Sequence, residues 1–130
     1  MSTNNVRYQR GRLAITVRGL ASHIESASIV MIDECRMADQ VNYPDETFFL
    51  LYMEEVFWLL APSVDGAIEA ISALRSDFPS LKYRQAIVES LPRKLRAPGL
   101  LGLKLWPIPA LRSFHRRELS SLSLRTLAAE

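Results

Sequence analysis

A chain of 130 residues with 48% hydrophobic content is long enough for one domain with its own core and short for two. Its single cysteine, Cys35, excludes an internal disulfide, and MSTNNVRYQRGR at the N-terminus lacks the apolar run of a secretory signal, so a reducing, cytoplasmic setting is expected. The formal net charge of +2 hides a segregation: residues 1–18 hold four arginines and no acid, residues 19–92 twelve acids against four bases, and residues 93–130 eight bases against two acids. Basic ends that flank an acidic middle either neutralise it within the fold or meet an acidic partner, protein or nucleic acid.

Residues 1–12 are polar and turn-rich and read as a basic N-terminal arm. From Leu13 onward, Leu13, Val17, Leu20, Ile24, Ala27, Met31, Cys35, Ala38 and Val41 recur at steps of three or four, which predicts an amphipathic helix. Ser22-His23-Ile24-Glu25 fits a capping box, so the helix can begin at Ser22, with LAITV (13–17) as a separate turn, short helix or strand. VNYPD (41–45) is a turn by composition.

The stretch around which the rest is organised is FFLLYMEEVFWLLA, residues 48–61, in which twelve of fourteen positions are apolar. Read as a helix, with Asp45 as N-cap and Pro62 as terminator, it places Thr47, Leu51, Glu54, Glu55 and Trp58 on one strip. Phe48, Phe49, Tyr52, Met53, Val56, Phe57 and Leu60 are then buried. At roughly 21 Å it is too short to span a bilayer, and the two glutamates disfavour insertion. The competing reading takes FFLLYM and VFWLLA as buried strands and joins VFWLLAP to the following helix as a β-α unit, with LAITV as a partner strand. The Glu54-Glu55 junction lacks the Gly or Asn of a tight hairpin, which counts against it.

After Pro62, Ser63 is the expected N-cap of a surface helix whose inner positions are Val64, Ala67, Ile68, Ile71, Leu74 and Phe78. Ser80 opens a further short helix to Leu91. Residues 92–109, PRKLRAPGLLGLKLWPIP, hold four prolines and two glycines beside seven large apolar residues. No regular helix runs through such a segment, and a solvated linker would not be so apolar. It reads as an extended strap in a groove, on its own domain or a partner's, with Arg93, Lys94 and Arg96 toward water and Leu100, Leu101, Leu103 and Trp106 toward the groove. Residues 110–130 return to helix formers, with Arg112, His115, Arg116 and Arg117 crowded together as a basic C-terminal helix. The expected fold is therefore an all-α bundle of four to five helices over 13–91 with a strap and a basic terminal helix; a small α+β fold is the alternative.

Candidates for chemistry are sparse. Cys35 falls on the apolar stripe and reads as a buried structural thiol, and His23 lies too far along one helix to activate it. Two histidines and one cysteine give no metal-ligand spacing, and no phosphate loop or nucleophile elbow is present. No catalytic, metal or cofactor residue is therefore assigned, and no membrane or small-molecule partner is expected. The function expected first is a non-enzymatic interaction module, an adaptor, inhibitor or assembly subunit that binds a protein partner or itself. Its contact residues are Arg93, Lys94, Arg96, Leu100, Leu101, Leu103, Trp106, Arg112, His115, Arg116 and Arg117. The alternatives are phosphate contacts to nucleic acid through the basic ends, and a small enzyme using Glu54 or Glu55 in an aromatic pocket.

Overall fold

The computed structural model describes residues 4–17, 19–38, 47–90, 111–121 and 123–126. Among these, the chain starts as three strands, β1 (Asn5–Gln9), β2 (Arg12–Val17) and β3 (Leu20–Glu25), paired antiparallel in the order β1-β2-β3. Val6 and Tyr8 alternate with polar residues, as do Leu13 and Ile15, the period of a sheet with one buried face. Two-residue loops fix the register: Gln9 pairs with Arg12 across Arg10-Gly11, and Val17 with Leu20. Arg10 and Gly11 both have positive φ, 52° and 77°, the backbone of a type I′ turn whose twist matches the flanking strands.

The second sheet has six strands: β4 (Met31–Met37), β5 (Thr47–Tyr52), β6 (Val56–Leu60), β7 (Lys82–Ser90), β8 (Leu111–His115) and β9 (Ser123–Thr126), in the order β8-β6-β5-β4-β7-β9. Only the β4–β7 pair is parallel. The helix α1 (Ala67–Asp77) carries the chain from β6 to β7 across the two intervening strands.

Both faces of this sheet are apolar. Phe49, Leu51 and Leu60 face the three-stranded sheet and α1, packing with Leu13, Ile15, Ile24, Ile71 and Leu74. Phe48, Leu50, Phe57 and Leu59 lie on the opposite face with Cys35, Met37, Ala86 and Val88, where the Phe57 ring stacks on Phe114 at 5.4 Å. Each fully buried Phe or Leu of this kind contributes on the order of 1.5–3 kcal/mol relative to exposure.

These elements overturn the all-α bundle. The described residues hold nine strands and one α-helix. Phe48–Ala61 is not a helix but β5, a tight turn and β6, so the two-strand reading of this stretch is the one observed, within a fold that is mostly β. A strand buried on both faces shows no alternation, and this one mimics a helix that is apolar all round. LAITV is a strand, but it belongs to the first sheet. Over its described residues the helix expected from Leu13 to Val41 is instead β2, β3 and β4, because residues four apart share a face in a strand as well as in a helix, and 39–41 lie outside the described residues. Ser22–Glu25, read as a capping box, lies in β3, and the helix expected over 80–91 is β7. Residues 5–9, read as an arm, form β1, and the basic C-terminal helix is replaced by β8, a 3-10 segment (Arg116–Ser121) and β9. The 64–78 helix is found as α1, capped at Gly66 rather than at Ser63, with Ala67, Ala70, Ile71 and Leu74 buried and Ile68 exposed.

Candidate interaction surface

Of the 11 residues assigned to partner contact, four lie among the described residues. Arg93, Lys94, Arg96, Leu100, Leu101, Leu103 and Trp106 lie outside the described residues. Arg112 is on β8 opposite Leu59, and His115 is exposed opposite Val56. Arg116 serves the fold: its N–H donates to the Glu55 carbonyl at 2.7 Å, its guanidinium donates to the Met53 carbonyl, and it lies 5.5 Å from the Tyr52 ring centroid. Arg117 is exposed, with its N–H donating to His115 Nδ1 at 3.2 Å. Glu54 and Glu55 sit exposed in the β5–β6 turn. The turn closes through the Met53 N–H on the Val56 carbonyl, and neither glutamate has positive φ, so Gly or Asn is not required.

A polar cluster that the sequence reading missed lies on the second face of the large sheet. Asp33, at 0% exposure, faces Arg84 in register across β4 and β7. Arg84 donates from Nε to Oδ1 at 2.8 Å and from Nη2 to Oδ2 at 2.9 Å, and the Tyr52 hydroxyl donates to Oδ2 at 2.6 Å. Burial, then the bond to Asp33, pushes the Tyr52 hydroxyl well above its ordinary range, and the bond to Asp33 raises Arg84. Desolvation likewise raises the Cys35 thiol, two residues along the same face. A carboxylate held by three donors from two neighbouring strands fixes the register of β4, β5 and β7. Its sequence signal was the acid pair Asp33-Glu34 set between Ile32 and Cys35, with Arg84 as a matching charge.

A second set of polar groups joins β1 to α1. Val6 N–H donates to the Asp65 carbonyl at 3.0 Å, and Arg7 bonds the Asp65 carboxylate at 3.1 Å. The Tyr8 hydroxyl donates to Asp77 at 2.6 Å. These residues border a cleft of about 430 Å³, but its arginine and tyrosine are already paired. Among the described residues no three His, Cys, Asp or Glu side chains group to hold a metal ion, and no helix is long and apolar enough to cross a membrane.

The two edges of the small sheet differ. The β1 edge is covered by Asp65, which bridges Asn5 in parallel. The β3 edge pairs with no described strand, and Leu20, Ala21, Ser22, His23 and Glu25 are exposed, Leu20 at 77%. Because the hairpin closes on two residues, Val17 and Leu20 form a hydrogen-bonded pair and the pattern alternates from there. Leu20, Ser22 and Ile24 thus bond to β2, in phase with the Ser26 N–H on the Gly11 carbonyl at 3.0 Å. The N–H and C=O groups of Ala21 and His23 and the N–H of Glu25 point outward, while the Glu25 carbonyl accepts from the Ser28 hydroxyl at 2.7 Å. On this edge Glu25 shares one carboxylate oxygen between Arg12 Nη2 at 3.0 Å and His23 Nε2 at 3.6 Å. The sequence cue was the pair of Arg-Gly dipeptides at 10–11 and 18–19 between alternating segments. Comparison of the chain with protein-family models, curated proteins and solved structures finds no match.

Proposed function

We propose that this chain is a non-enzymatic protein-interaction module, an adaptor, inhibitor or assembly subunit, whose described contact surface is the open edge of β3. The observation that carries the reading is the row of outward backbone groups, N–H and C=O at Ala21 and His23 and N–H at Glu25, on a strand exposed everywhere except Ile24. Such an edge is a template for an added strand unless charge, proline or a bulge blunts it. Neither proline nor a bulge interrupts β3. The clusters at Asp33 and Asp65 satisfy their own polar groups, which favours a structural role for both. The apolar 92–109 strap and the His115–Arg117 region belong to the same proposal on their composition. A reducing, cytoplasmic setting fits the single buried thiol.

The experiment is capture of partners by tagged wild-type chain and by His23→Pro. The His23 N–H points away from β2, so proline there removes a central outward donor while sparing the ladder. A partner recovered by wild type and lost with the variant, with an unchanged circular dichroism spectrum, is the expected result. Equal recovery by both contradicts the edge as the contact surface.

A further inference from the structure

We propose that the strand added at β3 is an acidic, extended segment of another protein. The inference rests on the edge reading above and adds the chemistry of the occupant. Residues 5–25 contain Arg7, Arg10, Arg12 and Arg18 against the single acid Glu25, a surplus of three positive charges with His23 neutral. Arg7 is partnered by Asp65, from outside the sheet. The same Glu25 carboxylate oxygen faces both Arg12 and His23, so it is shared between two side chains. Among the described residues no carboxylate pairs with Arg10, and a cleft of about 670 Å³ opens beside Gln9, Arg10 and Arg12.

The pleat then fixes a pattern. His23 and Glu25 project to the outer face with Ala14 and Arg12, their partners on β2; Leu20, Ser22 and Ile24 project to the core-side face. A strand laid beside β3 puts alternate side chains on each face, so its outer-face residues lie beside Ala21, His23 and Glu25, and acidic ones placed away from Glu25 face His23, with Arg12 one strand further in and Arg10 in the turn beyond. On the other face, at the opposite end, an apolar residue covers the overhanging Leu20. Five steps of about 3.4 Å span β3, so the recognised stretch is about six residues. A second copy is the poorer occupant. Antiparallel self-pairing through the outward groups sets His23 beside His23 and brings two sheets with the same surplus of arginines together, which disfavours association. A nucleic-acid backbone would use the arginines, but it cannot use the outward amides and carbonyls of β3 as a ladder.

The test uses the full chain and three probes: a blocked 12-residue peptide alternating glutamate and valine, its lysine–valine counterpart, and a short oligothymidine. Binding is read by fluorescence anisotropy, and amide exchange reports on Ala21, His23 and Glu25. The glutamate peptide is expected to bind at least about 10-fold tighter than the lysine peptide, to weaken severalfold as salt rises from about 50 to about 500 mM, and to slow those three amides. His23→Pro abolishes its binding. Equal binding of the two peptides overturns the acidic assignment and leaves the edge reading standing. Binding that survives His23→Pro, or leaves the three amides unprotected, overturns the edge reading too. Oligothymidine binding that displaces the glutamate peptide makes the partner a nucleic acid, and dimerisation lost with His23→Pro makes it a second copy; either sinks the proposal. So does failure of both peptides to bind at about 1 mM.

Discussion

Removing Arg84 tests the physical account of the large sheet most severely. Asp33 is at 0% exposure, whereas the Arg84 side chain keeps 26% of its surface. Arg84→Ala therefore leaves a carboxylate fully buried with only the Tyr52 hydroxyl, and breaking a buried pair in this way costs about 3–5 kcal/mol. Asp33→Asn leaves a guanidinium that can still reach water and an amide that keeps part of the network, so the cost falls to about 1–3 kcal/mol. Tyr52→Phe removes one bond to a charged acceptor, about 1.5–3 kcal/mol. Against a total stability of about 5–15 kcal/mol for a domain this size, Arg84→Ala brings the chain near unfolding. Replacing both charges with apolar residues of similar volume, Asp33→Leu with Arg84→Met, recovers most of the loss, since the unpaired ion is what costs. Urea unfolding of these variants followed by tryptophan fluorescence, with Asp33→Leu and Arg84→Met also made singly to close the double-mutant cycle, reads these values. An Arg84→Ala cost below about 1 kcal/mol, or a double variant worse than either single, would refute the reasoning.

Three further outcomes follow from local geometry. Gly66 has φ of 81°, and a Cβ there collides with the Val6 carbonyl oxygen and the Arg7 guanidinium, whereas Gly11 at 77° has open space. Gly66→Ala should therefore lower the urea midpoint clearly more than Gly11→Ala, whose cost is the left-handed conformation alone, about 1–2 kcal/mol; equal losses would contradict the close approach at β1. Cys35, 1% exposed on a central strand, should react with a thiol reagent at least about 10³-fold more slowly than in urea, because labelling needs the sheet to open; rapid labelling of the native chain would argue against β4 as an inner strand. Burial, with hydrogen bonds to Asp33 and Glu34, raises the Tyr52 and Tyr83 hydroxyls above their ordinary value of 10.0. The unfolded chain thus loses these protons first, and the stability they contribute is complete below pH 10 and lost as pH rises beyond it, by up to about 1.4 kcal/mol per pH unit for each. Thermal midpoints measured between pH 8 and 12 should fall above 10, less steeply in Tyr52→Phe; a flat profile contradicts the assignment.

How far the sequence carried depended on which faces were buried. α1 was legible because one stripe, Ala67 to Leu74, meets the core while Glu69 and Arg75 meet water. Cys35 was legible as a buried thiol for the same reason, whatever element carries it. β5 was not: Phe48, Leu50 and Tyr52 pack on one face and Phe49 and Leu51 on the other, so its two-sided burial erases the period that marks a strand. The Glu54-Glu55 turn hid its hairpin because its backbone avoids positive φ. β1 to β3 were hidden differently, since Leu13/Val17 and Leu20/Ile24 are i, i+4 pairs that fit both periods. The Arg10-Gly11 and Arg18-Gly19 dipeptides were the discriminating signal, because a glycine tolerant of positive φ ends each strand after five or six residues. The Asp33–Arg84 pair joins residues 51 positions apart, a separation that no local pattern encodes.

Amide hydrogen exchange on the isolated chain, resolved by residue across β3, bears most directly on the claim that this edge is open for a partner. Slow exchange at Ser22 and Ile24 with fast exchange at Ala21, His23 and Glu25 is the predicted alternation. Uniform protection of all five would mean that the edge is already covered, and the interaction surface assigned to it would fall.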